Sequence, residues 1–376
     1  PYSEQAASVL DCLRQCLLKY GVELVCGCEI TSVKKKGDDF IVFGNIRDIE
    51  AENRRAEAKK NGGKKDGKKA GGDRNDKAKK VACDKERDVA QTVRLSCTAG
   101  RLIVATGSAA GGVCDQGACT AGKQAGNTHD TGKSNSVLGY DIARSFGHHI
   151  IKPLPALVAL GCEESFFKEI SGVRAKGGIR LLIDDRCVAS DIGELQLTDN
   201  GISGIPVFQV SRYAVAALDA GKSRVQAELD FMPEYGEKEL VEYIDKIKAD
   251  MCNAGKSCEM IKKGNMPSLA DILTGLVNKK LMNLFVKLSG GQTESLAGII
   301  KHFKVTVINS KGIISAQVCR GGVRLDEVDT ATMESKLCHG LYFCGEVLDV
   351  DGCCGGYNLQ WAWSSGCVAG AMSLGL

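Results

Sequence analysis

At 376 residues the chain is longer than a single hydrophobic core usually supports, so two or three subdomains are expected. Its apolar fraction of 44% is that of a globular protein, and every apolar run is interrupted before the roughly 20 residues that a bilayer requires, so no membrane partner is expected. The 18 cysteines include no Cys-x-x-Cys pair, which excludes zinc-ribbon and ferredoxin spacings and favours reduced thiols in a cytoplasmic protein.

The net charge of +3 comes from one basic segment, residues 54–80, where twelve Lys or Arg face four acids. The remainder of the chain is therefore mildly acidic. The segment also lacks the aromatic side chains on which nucleic-acid bases stack. Nucleic acid is thus not expected as a partner, and a small-molecule substrate is.

The first 50 residues predict a helix and a hairpin. Apolar residues at helical spacing follow Ser3, which can cap the helix, and Gly21 ends it. A strand is predicted near Val22 to Ile30, and the turn signal KKGDD predicts a return strand at Phe40 to Phe43. Residues 51–90 are rich in Lys, Gly, Asp and Asn and are predicted to be a disordered surface loop.

A buried strand that opens into a ligand loop is predicted next. Leu102 to Ala105 is an apolar run that ends in Thr106-Gly107. Residues 108–136 lack periodicity and are interpreted as an insertion in that loop. The stretch GYDIARSFGH then predicts a short helix that ends at Gly147. The stretch KPLPALVAL predicts an extended crossover segment after it.

Two segments of different predicted secondary structure follow along the chain. Residues 160–230 contain the short β-type runs GGIRLLID, ELQLTDNG and GIPVFQV, which predict a mainly antiparallel unit. Residues 236–300 are helical, and Ser268 with Asp271 offers a capping box for the helix SLADILTGLVNKKLMNLFVKL.

The stretch LYFCGEVLDVDGCCGGYNLQWAWSSG carries the strongest signal of a binding site. A buried strand ends at Glu346, and the Gly355-Gly356 turn begins a helix whose first backbone N–H groups attract electron-rich oxygens. Because a phosphate would be repelled by Glu346, a sugar or polyol hydroxyl is its natural partner, as in the ribityl chain of FAD. The alternative is that Glu346, Asp349 and Asp351 are turn formers and helix-end charges.

Four strings in the chain resemble a known family. They are GYDIARSFGHHIIKPLPALVAL, GELQLTDNGISGIPVFQVSRYA, RGGVRLDEVDTATMESKLCHGLYFCGEVLDVDG and GGYNLQWAWSSG, and they closely resemble the BaiN/YhiN-like flavoproteins, FAD-dependent, NAD(P)H-linked oxidoreductases of the bacterial cytoplasm. The resemblance implies an α/β, Rossmann-like FAD-binding domain interrupted by a β-rich unit and a helical unit. The corresponding divisions are residues 1–155, 156–235, 236–303 and 304–376.

The resemblance also implies which residues meet the cofactor. Gly345 and Glu346 would contact the ribityl chain. The turn from Gly355 to Leu359 would contact the pyrimidine edge of the flavin, and Ile30 would contact the adenine. The full set of expected cofactor-binding residues is Ile30, Ala105, Thr106, Gly107, Gly345, Glu346, Asp351, Gly355, Gly356, Tyr357, Asn358 and Leu359.

Two departures from the family pattern stand out. The family begins with a strand, a G-x-G-x-x-G turn and a helix that hold the FAD pyrophosphate, and this chain contains none of them. An amino-terminal segment is therefore expected to be missing, which leaves the Rossmann-like domain incomplete. The loop after Gly107 is also much longer than the compact Gly-rich turn of the family.

His148 and His149 follow a predicted helix end, and a solvated pair is favoured there over a proton-transfer role. Catalytic residues stay unassigned, since there is no nucleophile beside a base and no metal-ligating set.

The adjacent Cys353 and Cys354 lack a neighbouring cation that would lower a thiol pKa, so loop filling is favoured over a redox pair. Trp361 and Trp363 point to different helix faces, and packing is favoured over stacking on substrate.

The preferred hypothesis is FAD-mediated hydride transfer from NAD(P)H to an unsaturated carbonyl compound, such as a steroid or bile-acid-like enone. An FAD-dependent oxidase of a small amine is one alternative. A non-catalytic truncated fragment is another. The choice between NADH and NADPH and the oligomeric state stay open.

Overall fold

A computed structural model describes residues 2–47, 92–110, 135–222, 224–255 and 268–375. The predicted disordered insertion 51–90 lies outside the described residues, as does the insertion 108–136 apart from its two ends. The chain forms two compact units, Pro1–Leu102 and Ile103–Leu376. The finer division into four parts stays a prediction.

The first unit contains a helix and an antiparallel three-stranded sheet. The helix is α1 (Ala6–Lys19), and the strands are β1 (Cys28–Lys36), β2 (Asp39–Arg47) and β3 (Thr92–Ala99), in the order β1-β2-β3. The predicted hairpin is confirmed, since Lys36 pairs with Asp39 around Gly37, whose φ is +63°.

Two local predictions for this unit are wrong. The residue before α1 is Gln5 and makes no side-chain cap, so Ser3 does not cap the helix, although Gly21 does end it with a φ of +65°. The strand predicted from Val22 begins only at Cys28. Gly27 has a φ of +67°, a left-handed conformation that a strand cannot continue through.

The second unit begins with the predicted ligand loop. Strand β4 (Leu102–Val104) leads into it, α2 (Asn135–Ser145) follows, and β5 (Ile150–Ala156) is the predicted extended crossover. Gly147 ends the helix region with a φ of +88°. The short strand is confirmed, but it is not buried throughout, because Ile103 is 37% exposed.

A closed β-barrel forms the centre of the second unit. Its strands, in the spatial order β10-β11-β6-β9-β8-β7, are β6 (Leu160–Cys162), β7 (Arg174–Ile183), β8 (Arg186–Thr198), β9 (Gly201–Ser203), β10 (Val225–Asp230) and β11 (Phe303–Ser310). All of the pairings that define this barrel are antiparallel, as predicted. The short helix α3 (Phe167–Ile170) follows β6.

The run GIPVFQV is a helix rather than the predicted strand. Helix α4 (Ile205–Asp219) starts with Pro206 in its first turn, a position where proline costs no hydrogen bond. Val207, Val210 and Ala214 recur at helical spacing and are buried against the barrel. The β-branched residues fit this helix because one face of it is fully packed.

The helical segment predicted at residues 236–300 is confirmed, but one of its predicted helices is interrupted. The helices are α5 (Glu237–Gly255), α6 (Leu269–Ile272), α7 (Lys279–Ser289) and α8 (Thr293–Lys301). The predicted capping box of Ser268 and Asp271 is present. The long helix predicted after it is nevertheless two, because Gly275 has a φ of +107° and Asn278 caps α7.

The last elements return to the ligand loop. Strand β12 (Val318–Val323) pairs with β5, and β13 (Leu341–Phe343) is fully buried. The carbonyl of Val104 accepts from the Cys344 backbone N–H, at 3.2 Å, so the ends of β4 and β13 lie side by side. The chain then passes through a 3-10 turn (Gly345–Val347) into α9 (Tyr357–Ser373).

Candidate functional site

The loop after β4 meets the turn after β13 through one polar contact. Ser108 Oγ donates to Glu346 Oε2 at 2.9 Å. Gly107, one residue earlier, has a φ of +75°, and nothing lies within 4 Å of the place where a Cβ would stand. The structure therefore brings the predicted loop of residues 105–107 next to Glu346, with open space beside the glycine.

Helix α9 fixes the backbone of Gly345. The Gly345 N–H donates to Ser365 Oγ at 2.9 Å, and Trp361 Nε1 donates to the Gly345 carbonyl at 3.1 Å. Ser365 Oγ in turn donates to the Trp361 carbonyl at 2.6 Å. Trp361 is half-buried and held against the Gly345 turn by its Nε1 hydrogen bond, whereas Trp363 is 55% exposed, so the packing role predicted for both stays a prediction.

The two acids of this turn have different surroundings. Glu346 is half-buried and shares one carboxylate oxygen with Ser108. Asp349 Oδ1 accepts from the Gly321 N–H at 2.8 Å, and the Asp349 N–H donates to the Val323 carbonyl. Asp349 is thus a turn residue, as the alternative interpretation held, while Glu346 Oε1 accepts no hydrogen bond from the residues that the structure describes.

An arginine holds the predicted Asp351. Arg212 donates to the carbonyls of Asp351 and Gly352 at 2.8 and 2.9 Å, and its Nη1 lies 2.9 Å from Asp351 Oδ2. Burial raises the pKa of Asp351, and the Arg212 charge works against that effect. Asp351 Oδ2 is buried without a hydrogen bond among the described residues, so the Arg212 charge holds it, and the predicted cofactor contact of Asp351 stays a prediction.

The same helix α4 holds the cysteine pair. Gln209 Oε1 accepts from the Cys354 N–H at 3.1 Å, and Cys354 packs against the buried cluster of Ala156, Leu157 and Val318. Both thiols are free, and burial raises the pKa of Cys354, which fits loop filling rather than redox chemistry. Gln209 and Arg212 were missed because GIPVFQV was predicted as a strand; in a helix, positions i and i+3 share one face.

The Gly-Gly turn has the predicted form. Gly355 and Gly356 have φ values of +109° and +92°, and Gly356 gives α9 no side-chain cap. Asn358 Oδ1 accepts from the Gly352 N–H at 2.7 Å and closes the loop. The first N–H groups of α9, at residues 357–359, have no intrahelical acceptor and can donate to a ligand oxygen or nitrogen. Tyr357 and Leu359 are 66% and 62% exposed.

Two buried hydroxyl groups near the loop donate to no group among the residues that the structure describes. They are Thr106 Oγ1 and the Tyr140 phenol. Thr106 lies against α2, since a Cβ on Gly139 would stand 1.9 Å from its Oγ1. Buried polar groups normally find partners, so this pair fits a site that a polar ligand completes.

The first histidine after α2 is not solvated. His148 is 3% exposed, with Nε2 at 2.7 Å from Ser335 Oγ and Nδ1 at 3.2 Å from Glu327 Oε2. Ser335 already accepts from the N–H groups of Leu337 and Cys338, so its proton goes to His148 Nε2 and the imidazole proton sits on Nδ1. Burial lowers the pKa of His148. The predicted solvated pair is therefore wrong for His148 and right for His149, whose side chain is 72% exposed.

Ile30 lies on β1 in the first unit, half-buried and paired with Gly44. Its predicted contact with adenine stays a prediction. Within the described ranges, no three His, Cys, Asp or Glu side chains are grouped so that they could hold a metal ion, and no helix is long and apolar enough to span a membrane.

Curated relatives agree with this architecture. A 3-dehydro-bile acid delta(4,6)-reductase of Clostridium scindens is 38% identical over 256 residues, which is 64% of this chain and 59% of that protein. Ribosomal RNA dihydrouridine synthases of Haemophilus influenzae and Escherichia coli are 32% and 28% identical over 247 and 235 residues, each 62% of this chain and 55% of the relative. The alignments thus span little more than half of these relatives.

The family profile described as the HI0933-like protein Rossmann domain matches residues 73–372, which is most of the chain. The α/β arrangement of the second unit, in which the ends of β4 and β13 lie side by side, is consistent with it. The chain belongs to the HI0933-like Rossmann family.

Proposed function

We propose that the complete gene product is an FAD-dependent reductase that adds hydrogen across a carbon–carbon double bond conjugated to a carbonyl group, with NAD(P)H as the electron donor. The observation that carries this proposal is the contact between Ser108 and Glu346. This contact joins the loop of residues 105–108 to the turn at Gly345. Hydrogen bonds with Ser365 and Trp361 fix the backbone of that turn.

The residues of this site fit the groups of FAD. The second oxygen of Glu346 would accept from a ribityl hydroxyl, and the free N–H groups at the start of α9 would donate to the electron-rich edge of the ring. Gly107 and Gly356 leave open space where a side chain would stand, so a flat ring can approach the backbone. When bound, FAD supplies the hydride carrier.

The protein's contribution is binding and orientation. Glu346 carries negative charge beside the polyol position, which disfavours a phosphate there. Arg212 and Gln209 anchor the loop that precedes the Gly-Gly turn, so the start of α9 keeps its position when a ligand arrives. These roles require no nucleophile.

The proposed substrate class follows from what the relatives' names share. A delta(4,6)-reductase of a 3-dehydro-bile acid and a dihydrouridine synthase both saturate a carbon–carbon double bond next to a carbonyl group. We favour a small enone, because the 38% identity is to the bile-acid enzyme. A uracil-containing RNA is the second candidate, favoured by the names of two relatives.

Anaerobic turnover tests the proposal. The complete gene product, reconstituted with FAD, is mixed with NADH or NADPH and then with a 3-oxo-4-ene steroid or a uridine-rich RNA. Bleaching of the flavin by the nicotinamide, recovery of its colour on adding the enone, and a product heavier by two hydrogens are expected. A flavin that no nicotinamide bleaches contradicts the proposal. Oxygen consumption with an amine and no nicotinamide supports the oxidase instead.

A further inference from the structure

Tyr140 is a buried tyrosine whose phenol donates to no group in the described part of the chain. Its side chain lies on α2 and is 3% exposed, and the Ala109 backbone N–H, which lies near the phenol oxygen, can donate to it but cannot accept its proton. A hydroxyl removed from water without a partner is costly, and natural cores rarely keep one. The neighbouring Gly139 contacts Thr106, whose hydroxyl is likewise unpartnered. Two consecutive residues of α2 therefore face the loop after β4.

The charges near Tyr140 define what its phenol can meet. Burial raises the pKa of Tyr140 to about 12, and the charges of Cys319, Glu346 and Asp349 act in the same direction. The phenol therefore stays protonated and acts as a donor at physiological pH. The two carboxylates also repel an anionic acceptor, so a phosphate is a poor partner.

A neutral hydroxyl on the ligand satisfies both sides of this site. A hydroxyl donates one hydrogen bond and accepts others, so it can donate to Glu346 while it accepts from Tyr140. A ring carbonyl alone could accept from Tyr140 but could not donate to Glu346. A ring N–H beside a carbonyl could do both, as a hydroxyl can, and lumiflavin separates the two because it keeps the ring and lacks the ribityl chain.

We propose that the Tyr140 phenol donates a hydrogen bond to a hydroxyl of the ribityl chain of the bound flavin, opposite Glu346, and that Tyr140 is a cofactor-binding residue of this protein. The proposal rests on the proposed function, since it assigns a residue to the same cofactor. Thr106 Oγ1, next to Gly139, lines the same polyol position.

The test compares Tyr140→Phe with wild type in the complete gene product. Dissociation constants for FAD and for lumiflavin, which lacks the ribityl chain, are measured by fluorescence quenching. Loss of one hydrogen bond should weaken FAD binding about tenfold and leave lumiflavin binding within about twofold. The melting temperature of the cofactor-free variant should fall little, because the phenol donates to no group among the described residues and only the weak approach of the Ala109 N–H is lost. Tyr342→Phe, at an equally buried tyrosine on β13, is the matched control and should leave FAD binding unchanged.

Each result of these binding and melting measurements supports or overturns one part of the proposal. If the wild type does not bind FAD, the proposed function itself fails. If the wild type binds FAD and Tyr140→Phe binds it equally well, the assignment of Tyr140 is wrong. Equal weakening of FAD and lumiflavin places the contact on the ring and overturns the ribityl assignment. A marked fall in the melting temperature of the cofactor-free variant means that the phenol has a partner within the protein, which also overturns it.

Discussion

Replacing Ser365 by alanine tests how the site is held together. Ser365 is 1% exposed and accepts from the N–H of Gly345, the residue before Glu346. Alanine leaves that buried N–H without a partner. The Trp361 carbonyl loses only the extra bond from the hydroxyl, since it is also placed to accept within the helix.

The expected cost follows from these contacts. An unpartnered buried donor costs about 1–3 kcal/mol, and the higher helix propensity of alanine returns up to about 0.5 kcal/mol. The net loss in the free energy of unfolding should be about 0.5–3 kcal/mol. FAD binding should weaken as well, because Gly345 and Glu346 are free to shift together.

Ser364 offers a matched control on the same helix. Its hydroxyl is exposed and accepts only from the Gln360 side chain, so Ser364→Ala should change stability by no more than about 0.5 kcal/mol. Urea unfolding of both variants and of the wild type gives the comparison. Equal stabilities for the two alanine variants would refute the proposed hold of α9 on the Gly345 turn.

Two further predictions concern charges. Arg212→Ala should lower the free energy of unfolding by about 2–3 kcal/mol, which is less than for a fully buried pair because the Arg212 and Asp351 side chains are each 15% exposed. The stability of Arg212→Lys should lie between those of the wild type and Arg212→Ala. Urea unfolding measures this, and a change below about 0.5 kcal/mol contradicts it. The pKa of His148 is lowered from 6.5, so the unfolded chain binds more protons and stability should decrease as the pH falls below 6.5. Thermal melting of the wild type and of His148→Gln across this range should show the decrease only in the wild type. An increase in stability on acidification is the contrary result. Hydrogen bonds from His149 outweigh burial and lower the pKa of Glu327 from 4.5, which adds a second loss at more acidic pH.

The parts of the fold that follow from short-range signals could be predicted from the sequence. The apolar LYF strand, the left-handed Gly355-Gly356 turn and the capping box at Ser268 each depend on neighbouring residues. The sequence also predicts that residues 105–107 and Glu346 follow the carboxyl ends of two buried strands, the edge at which open α/β sheets bind ligands, and the contact of Ser108 with Glu346 agrees with that placement.

The parts that failed depend on contacts between distant segments. Val207 and Val210 favour a strand by propensity, yet packing against the barrel makes them helical. The burial of His148 requires Glu327 and Ser335, which are nearly two hundred residues away in the sequence. The hydrogen bond from Arg212 to the loop at Asp351 cannot be inferred from the sequence, because the run GIPVFQV favours a strand by propensity.

The central claim is that Glu346 and the start of α9 bind a flavin, and one titration tests it most directly. FAD is titrated into the complete gene product, wild type and Glu346→Gln, with flavin fluorescence as the signal. The account predicts saturable binding of one FAD per wild-type chain and clearly weaker binding by Glu346→Gln. Binding that is absent in the wild type, or equally tight in both proteins, would contradict it.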